Sequence, residues 1–172
     1  MTALLLPHHG KSPTIHGSAF IADTAVVIGD VEIGPDSSIW FGTVVRGDVN
    51  IVRIGARTNI QDGVVIHVAS RGQGTFIGDD ITIGHMALLH ACTLESGCFV
   101  GMKACLMDGV YVEAGAMVAA GALVTPGKRV RRGELWAGTP ARLMRNLTLD
   151  EVDFFKRSAA QYVELAASYR TP

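Results

Sequence analysis

The sequence predicts an all-β repeat fold of short parallel strands, closed by one C-terminal α-helix. Aliphatic residues recur every six positions through most of the 172 residues, whereas the C-terminal segment carries apolar residues at helical spacing. An amphipathic helix would place apolar residues at i, i+3, i+4 and i+7, and the six-residue units do not. Short strands broken at regular corners therefore account for the first pattern, and one helix packed along them accounts for the second.

The six-residue units begin at Ile15, where each unit opens with an aliphatic residue. Their phase slips over residues 51–53, breaks over residues 68–76 and then continues to Val124, so the repeat covers about residues 15–129. Glycine at the second place and a small or short fifth residue suit tight corners between strands. Self-similarity at a fixed period predicts a solenoid.

This spacing resembles the hexapeptide repeat of left-handed parallel β-helices, in which three units make one triangular coil. A T-x-x-E capping box at Thr148 and Glu151 marks the start of the helix. The chain then divides into four parts: an N-terminal segment (1–14), a left-handed β-helix domain (15–129), a connecting segment (130–147) and a C-terminal helix (148–170).

The composition excludes several classes of protein. With 48% hydrophobic residues and 15 basic against 16 acidic side chains, the chain is not disordered. A net charge of −1 gives no electrostatic case for nucleic acid or an anionic membrane as a partner. No apolar run approaches the roughly 20 residues of a membrane helix, and the apolar start lacks the features of a signal peptide. Three cysteines, an odd number, are unlike a secreted disulfide framework, so we expect a cytoplasmic location.

Three of the six histidines occupy related places in the repeat. With the faces of each coil numbered from Ile15, His67 and His90 are both second residues of face 3, one coil apart. They should stack in one outward column, separated by the roughly 4.8 Å between neighbouring strands. Two imidazoles so placed can converge on a metal, since a Zn–N bond is about 2.0–2.1 Å. His85, the third residue of a face-2 unit, lies around a corner.

A three-fold oligomer would bring the third histidine to the other two, because it presses face 3 of one chain against face 2 of the next. Arg46 lies one coil below His67 and Asp62 one coil below His85, so we expect Arg46 and Asp62 to pair across the same interface. Two simpler interpretations stay open. Stacked outward histidines are often only polar surface residues, and Arg46 with Asp62 can form an ordinary structural ion pair.

The remaining histidines and the cysteines suit ordinary structural roles. His8, His9 and His16 lie at or before the start of the repeat without partners, so we expect them at the surface. The cysteines lack C-x-x-C spacing, and we interpret them as fillers of the repeat rather than metal ligands. These residues are Cys92, Cys98 and Cys105.

The stretches SSIWFGTVVRGDVNIVRIGARTNIQDGVVIH and TIGHMALLHACTL resemble the γ-class carbonic anhydrase family. The resemblance implies an enzyme that reversibly hydrates CO2 to bicarbonate with Zn²⁺, or with Fe²⁺ or Co²⁺ in its place. It also implies a homotrimer whose metal is held by His67 and His90 of one chain and His85 of the next. The other family residues near the metal match Arg46, Asp48, Asn59, Gln61, Asp62 and Tyr162.

The same resemblance implies roles for these residues. Gln61 would orient the water that attacks CO2, while Arg46, Asp48 and Asp62 would support the ligands and hold the interface in register. One departure concerns proton export. The family's best-known branch has acidic residues near the metal, whereas here Val49 follows Asp48 and the segment VASRGQGTF carries no acid. We therefore expect turnover to depend on added buffer.

Two other functions compete with this interpretation. Hexapeptide-repeat acyltransferases share the coil, and the segment WAGTPARLMR resembles the end of such enzymes, which bind acyl-CoA between subunits. They usually use a single catalytic histidine and need neither the stacked pair nor Arg46 and Asp62. A catalytically silent scaffold subunit is the second alternative, because a fold does not prove an activity. Metal analysis separates both from the first interpretation.

Overall fold

A computed structural model describes residues 3–170 as a parallel β-solenoid of about seven turns with one C-terminal helix. The predicted fold class, a left-handed β-helix with a C-terminal helix, is confirmed. The first ten strands are β1 (Leu4–Leu6), β2 (Thr14–Ile15), β3 (Phe20–Ile21), β4 (Val26–Ile33), β5 (Ser38–Ile39), β6 (Val44–Ile54), β7 (Asn59–Ile60), β8 (Val65–His67), β9 (Thr75–Ile77) and β10 (Thr82–Ile83). The remaining elements are β11 (Leu88–His90), β12 (Thr93–Leu94), β13 (Phe99–Val100), β14 (Cys105–Leu106), β15 (Tyr111–Val112), β16 (Met117–Val118), β17 (Leu123–Val124), β18 (Arg129–Val130), β19 (Glu134–Gly138), β20 (Ala141–Asn146) and α1 (Leu149–Ser168).

The strands form two sheets that enclose the solenoid. One sheet is a single face, on which β3, β5, β7, β10, β13, β16 and β19 stack in parallel before β20 adds an antiparallel edge. The other sheet makes the remaining two faces, and it is continuous because β4 and β6 are long enough to pass through a corner. Each coil therefore repeats the same three directions, and residues one coil apart become neighbours.

The opening residue of each six-residue unit points into the solenoid. Ile39, Ile60, Ile83 and Val100 stack in this way on one face, and all four are fully buried. Burying an aliphatic side chain of this size contributes about 1.5–3 kcal/mol. Because the interior is filled by this column, the residues that follow each aliphatic point outward and are free to form a site.

The predicted phase slip at residues 51–53 lies slightly earlier in the structure. Gly47 on β6 pairs with Gly29 on β4, and Val52 then pairs with Val31, so the three extra residues lie between Gly47 and Val52. Val52 is again fully buried. The extra residues form an outward bulge that carries Asp48, and this bulge lies beside the stacked histidines.

Both ends of the repeat extend further than the sequence suggests. Within the N-terminal segment 1–14, of which residues 1 and 2 lie outside the described part, β1 pairs with β4. The connecting segment 130–147 contains the antiparallel pair β19 and β20. Unpaired strand edges at both ends favour such additions, since backbone N–H and C=O groups need partners.

Helix α1 begins after Thr148, and the predicted capping box is present. The Glu151 N–H donates to the Thr148 side chain, and the Glu151 carboxylate accepts from the Thr148 N–H. The predicted apolar side of α1 packs on the face formed by the seven parallel strands from β3 to β19, here called the seven-strand face. This packing buries Phe155 and Ala159. No helix among residues 3–170 is both long enough and apolar enough to span a membrane.

Candidate metal centre

The predicted column of His67 and His90 is present. These residues end β8 and β11, which pair in parallel with His67 directly beside His90. Their ring centroids lie 5.1 Å apart, and His67 Nδ1 is 3.2 Å from His90 Nε2. Because the preceding Ile66 and Leu89 are buried in the core, alternation along each strand turns both rings outward.

Each of these two rings binds a carboxylate through its other nitrogen. His67 Nε2 donates to Asp48 Oδ1 at 2.9 Å, and His90 Nδ1 donates to Asp108 Oδ1 at 2.6 Å. An ionised carboxylate only accepts hydrogen bonds, so each neutral ring keeps its proton on the carboxylate side. The two nitrogens that face each other then both present lone pairs, an arrangement that a cation between them would stabilise.

The separation of these two nitrogens fits a shared metal ion. Two nitrogens each about 2.0–2.1 Å from a tetrahedral zinc ion would lie about 3.3–3.4 Å apart. The 3.2 Å between His67 Nδ1 and His90 Nε2 is close to this value. A carboxylate behind each imidazole is also the usual way in which proteins fix the tautomer of a ligating histidine.

Asp48 is held as a carboxylate by its neighbours. Burial alone would raise its pKa, but hydrogen bonds from His67 and Arg46, with the charge of Arg46, outweigh burial and lower the pKa to about 2. The Arg46 guanidinium contacts the other Asp48 oxygen. Asp48 is therefore a stable acceptor for His67 and a weak base at neutral pH.

His85 lies at a corner after β10. Gly84 precedes it, and a Cβ there would come within 2.6 Å of the Met102 nitrogen on the next coil, so the close approach requires glycine. As predicted, His85 sits one coil from Asp62, and its Nδ1 is 2.8 Å from Asp62 Oδ2. Because this contact uses Nδ1, the other ring nitrogen of His85, Nε2, is available to bind a further group.

Carboxylate partners separate the predicted ligands from the other histidines. Among residues 3–170, only His67, His85 and His90 contact a carboxylate. His16 instead contacts the Ser18 hydroxyl, and the rings of His8 and His9 contact each other. His9 and His16 are exposed, as expected, whereas His8 is half-buried.

Gln61 is fixed in a row of buried polar groups. Gln61 Oε1 accepts from the His85 N–H at 3.2 Å, and Gln61 Nε2 donates to Asn59 Oδ1 at 3.1 Å. Asn59 Nδ2 donates in turn to Thr82 Oγ1, whose hydroxyl lies 2.9 Å from Ser158 Oγ on α1. The row sets the direction of both amides and links α1 to the corner of His85.

Tyr162 lies on α1 beside the same corner. It lines a cavity of about 370 Å³ between α1 and the seven-strand face, together with Gln61 and His85. Its ring meets Trp40 edge-on at 5.6 Å between centroids. Burial raises the pKa of Tyr162, and the negative charge of Asp62 raises it further, so the phenol keeps its proton at neutral pH.

The predicted site residues thus fall into two groups within one chain. Among residues 3–170, no group of three or more His, Cys, Asp and Glu side chains is placed to hold one metal ion. The first group lies at the stacked pair and comprises Arg46, Asp48, His67 and His90. The second lies at the corner beside α1 and comprises Asn59, Gln61, Asp62, His85 and Tyr162.

Sequence reasoning missed three of the residues that support these groups. From the sequence, only the second residue of each face-3 unit was expected as a neighbour of His67 and His90. Asp108 was missed because it is the third residue of its unit. Thr82 and Ser158 look like ordinary small polar residues in the sequence, but both are buried. As expected, Cys92 and Cys98 are buried in the core, and burial raises the pKa of both thiols. Cys105 differs from the expectation, because it is only partly buried beside the inward-pointing Leu106.

Several curated proteins are similar to this chain. It is 50% identical over 161 residues to gamma carbonic anhydrase 2, mitochondrial, from Arabidopsis thaliana, an alignment that covers 91% of the chain and 58% of the relative. The chain thus spans about three fifths of the length of that plant protein. It is 41% identical over 167 residues to a carbonic anhydrase of Geobacillus kaustophilus, covering 97% of the chain and 91% of the relative.

Solved structures agree on the fold. A hexapeptide transferase family protein from Anaplasma phagocytophilum superposes with a TM-score of 0.93 and 48% sequence identity, covering 96% of this chain and 98% of the other. No protein-family profile matches the chain. The similarity in sequence and in structure therefore extends over nearly the whole solenoid and its helix.

Proposed function

Because the chain belongs to the γ-class carbonic anhydrase family, we propose that it reversibly hydrates CO2 to bicarbonate with a metal ion held between the subunits of a homotrimer. His67 and His90 of one chain and His85 of a neighbouring chain are the proposed ligands. The observation that carries the proposal is the facing pair of ring nitrogens on His67 and His90, each backed by a carboxylate.

The donor set suits a borderline-soft divalent ion. Imidazole nitrogen binds Zn²⁺ well and also suits Fe²⁺ and Co²⁺, and we propose Zn²⁺ as the resident metal. Bound Zn²⁺ lowers the pKa of water to about 7 and so supplies a nucleophile for CO2 at neutral pH. Asp48, Asp62 and Asp108 each orient one imidazole and fix which of its ring nitrogens is left to bind a metal.

Gln61 is the proposed group that orients the attacking water. Its Nε2 has two hydrogens and donates one to Asn59, so the other is available in the cavity that Gln61 shares with His85 and Tyr162. Because the amide is locked by the buried row, it can hold this direction without paying for reorganisation during the reaction. Gln61→Ala should therefore lower the rate without removing the metal.

The trimer would join the two groups of site residues. Each chain has a stacked pair on one side and a corner with His85 on the other, and a heterologous three-fold interface brings the two together three times. We propose that Arg46 and Asp62 meet across that interface. If Arg46→Ala leaves trimer dissociation unchanged at every salt concentration, this pairing is wrong.

Mixing two inactive variants tests the shared site directly. His90→Ala and His85→Ala should each bind no metal and hydrate no CO2. In mixed trimers a His85→Ala chain still offers His67 and His90, and a neighbouring His90→Ala chain still offers His85. Random mixing restores about a quarter of the sites, because each of the two chains at an interface is the required variant half of the time.

The readouts are metal content and stopped-flow CO2 hydration of co-refolded chains, with light scattering for oligomeric state. Recovery of about a quarter of the wild-type metal and rate supports the shared site. Wild-type trimers that bind metal while mixed trimers recover none would contradict it. So would a monomer that retains stoichiometric metal. His67→Ala mixed with His90→Ala is the matched control, because every chain then lacks one histidine of the stacked pair and no site can be completed.

Acyl transfer is the second candidate function, favoured by the structural relative described as a hexapeptide transferase family protein. An acyltransferase would consume acyl-CoA and would not need the His67–His90 pair to bind metal. A catalytically silent scaffold is the third alternative. A fully metallated trimer that neither hydrates CO2 nor consumes acyl-CoA would favour the scaffold.

The remaining expectations concern location and partners. A cytoplasmic location stays a prediction, and some relatives, such as the plant protein, are named as mitochondrial. The proposed partners are CO2, bicarbonate and two further copies of the chain. With a net charge of −1, we propose no nucleic-acid or membrane partner.

A further inference from the structure

The segment between β8 and β9, residues 68–74, borders the stacked histidines; we refer to it as the site loop. A cavity of about 450 Å³ opens at this point. Its lining consists of Val49, His67, His90 and the first four residues of the site loop, which end with Arg71. The loop therefore forms one wall of the space in which a ligand of the proposed metal would lie.

Hydrogen bonds anchor the site loop on both sides of Arg71. Asn50 Nδ2 donates to the Ala69 carbonyl at 3.2 Å and to the Gly72 carbonyl at 3.4 Å. Gln73 Nε2 donates to the Ala91 carbonyl at 3.0 Å, just after His90. Gly72 has a φ of +120°, which L side chains rarely adopt, so the loop turns sharply right after Arg71. These anchors hold the backbone of Arg71 at the edge of the cavity.

Arg71 brings an uncompensated positive charge to this cavity. The nearby Arg46 is already paired with Asp48, and Asp48 and Asp108 are engaged by His67 and His90. Within residues 3–170, Arg71 has no ion-pair partner. An exposed guanidinium beside a metal-ligand pair, with its five donors free, is suited to bind an anion.

We propose that Arg71 is the anion-binding residue of this site and gives it affinity for small planar oxyanions such as bicarbonate. A guanidinium donates two parallel hydrogen bonds to the O–C–O edge of such an anion, a geometry that an ammonium cannot match. CO2 carries no charge and gains nothing from Arg71 by this route. The inference rests on the proposed function, because it places the anion beside the metal.

Anion binding can be measured without turnover in the Co²⁺-loaded trimer. Formate is the probe, since it has the O–C–O edge and the charge of bicarbonate, and neutral imidazole is the uncharged comparison. The visible absorption of Co²⁺ reports both titrations. Arg71→Gln should raise the dissociation constant of formate about three- to tenfold and leave that of imidazole unchanged. Arg71→Lys should fall between Arg71→Gln and the wild type.

Arg131→Gln is the matched control, because it removes the same charge from the turn after β18, on a different coil. Equal formate affinity in Arg71→Gln and the wild type would overturn the inference about Arg71. That result would not bear on the proposed CO2 hydration. An equal loss in Arg131→Gln, or a parallel loss of imidazole binding, would also overturn the inference. A wild-type protein that binds no Co²⁺ would instead overturn the proposed function and this inference together.

Discussion

Asp108 Oδ1 lies 2.6 Å from His90 Nδ1, and this contact decides which nitrogen of His90 faces the stacked pair. Because the carboxylate accepts the Nδ1 proton, Nε2 is the atom that points at His67, 3.2 Å away. His16 shows the contrast, since its ring contacts a serine hydroxyl and stands alone at the start of the repeat. A carboxylate partner is thus the feature that distinguishes the three proposed metal ligands from His16.

We expect Asp108→Ala to weaken metal binding about 10–100-fold, because His90 would lose the group that fixes its tautomer and ring orientation. Competition with a chelator of known affinity measures the change. Asp153→Ala, which removes an exposed carboxylate from α1, is the control and should have no effect. Unchanged metal affinity in Asp108→Ala would mean that the contact with His90 is incidental.

We expect Thr82→Val to lower the free energy of unfolding by about 1–3 kcal/mol. Valine has nearly the same shape as threonine but leaves Asn59 and Ser158 without the buried hydroxyl that both contact. Thr82→Ser keeps that hydroxyl and should retain most of the stability. Urea denaturation of the three proteins measures the difference, and equal midpoints would argue against the buried row as a source of stability.

We expect CO2 hydration by the wild type to rise with the concentration of a buffer that does not bind metal, such as MOPS. Asp48 has a pKa of about 2 and is a poor proton acceptor, and Val49 beside it is half exposed at the cavity. Val49→Glu should raise the rate at low buffer by about tenfold, because it adds a proton acceptor there. Leu143→Glu, on the remote edge strand β20, is the control. A wild-type rate that is independent of buffer would indicate an internal proton route.

The pH dependence of stability should include a contribution from Glu151. Hydrogen bonds from Arg145 and from the Thr148 N–H lower its pKa to about 2, against about 4.3 in an unfolded chain. A lowered folded-state pKa stabilises the fold fully above the unfolded value, and the stabilisation is lost as pH falls through the folded value.

Glu151→Gln should therefore be less stable than the wild type at neutral pH, and the difference should shrink between about pH 4.3 and pH 2. Chemical denaturation at a series of pH values measures it. Glu164→Gln removes a carboxylate from the same helix and controls for the lost charge. A difference of constant size from pH 7 to pH 2 would show that the capping-box carboxylate is not the cause.

Much of the fold follows from local pattern. An aliphatic residue recurs at every sixth position. All of these side chains can be buried together only if each coil turns through the same three faces, so the period implies the solenoid. Counting residues along that period also places His67 beside His90 and Asp62 beside His85, as the coils do. The capping box likewise fixes the start of α1 to within a residue, because its chemistry is local.

Where the period fails, the sequence is less informative. Three extra residues lie between Gly47 and Val52, and the bulge that they form brings Asp48 to His67. From the sequence, the insertion can be located only at the point where the aliphatic pattern becomes regular again. The site loop is similar, since its anchors at Asn50 and Gln73 are side-chain contacts across coils. Such contacts join residues about 20 positions apart in sequence, and no local signal marks them.

The sequence by itself determined the period, the number of outward histidine columns and the helix that closes the chain, because each depends on residues within one or two repeat units. Only the tertiary structure decided which carboxylate each histidine binds, which ring nitrogens face each other and which amide direction Gln61 takes. Those choices depend on distances of about 3 Å between side chains of different coils. Stacking the coils sets these distances, and the order of residues along the chain does not.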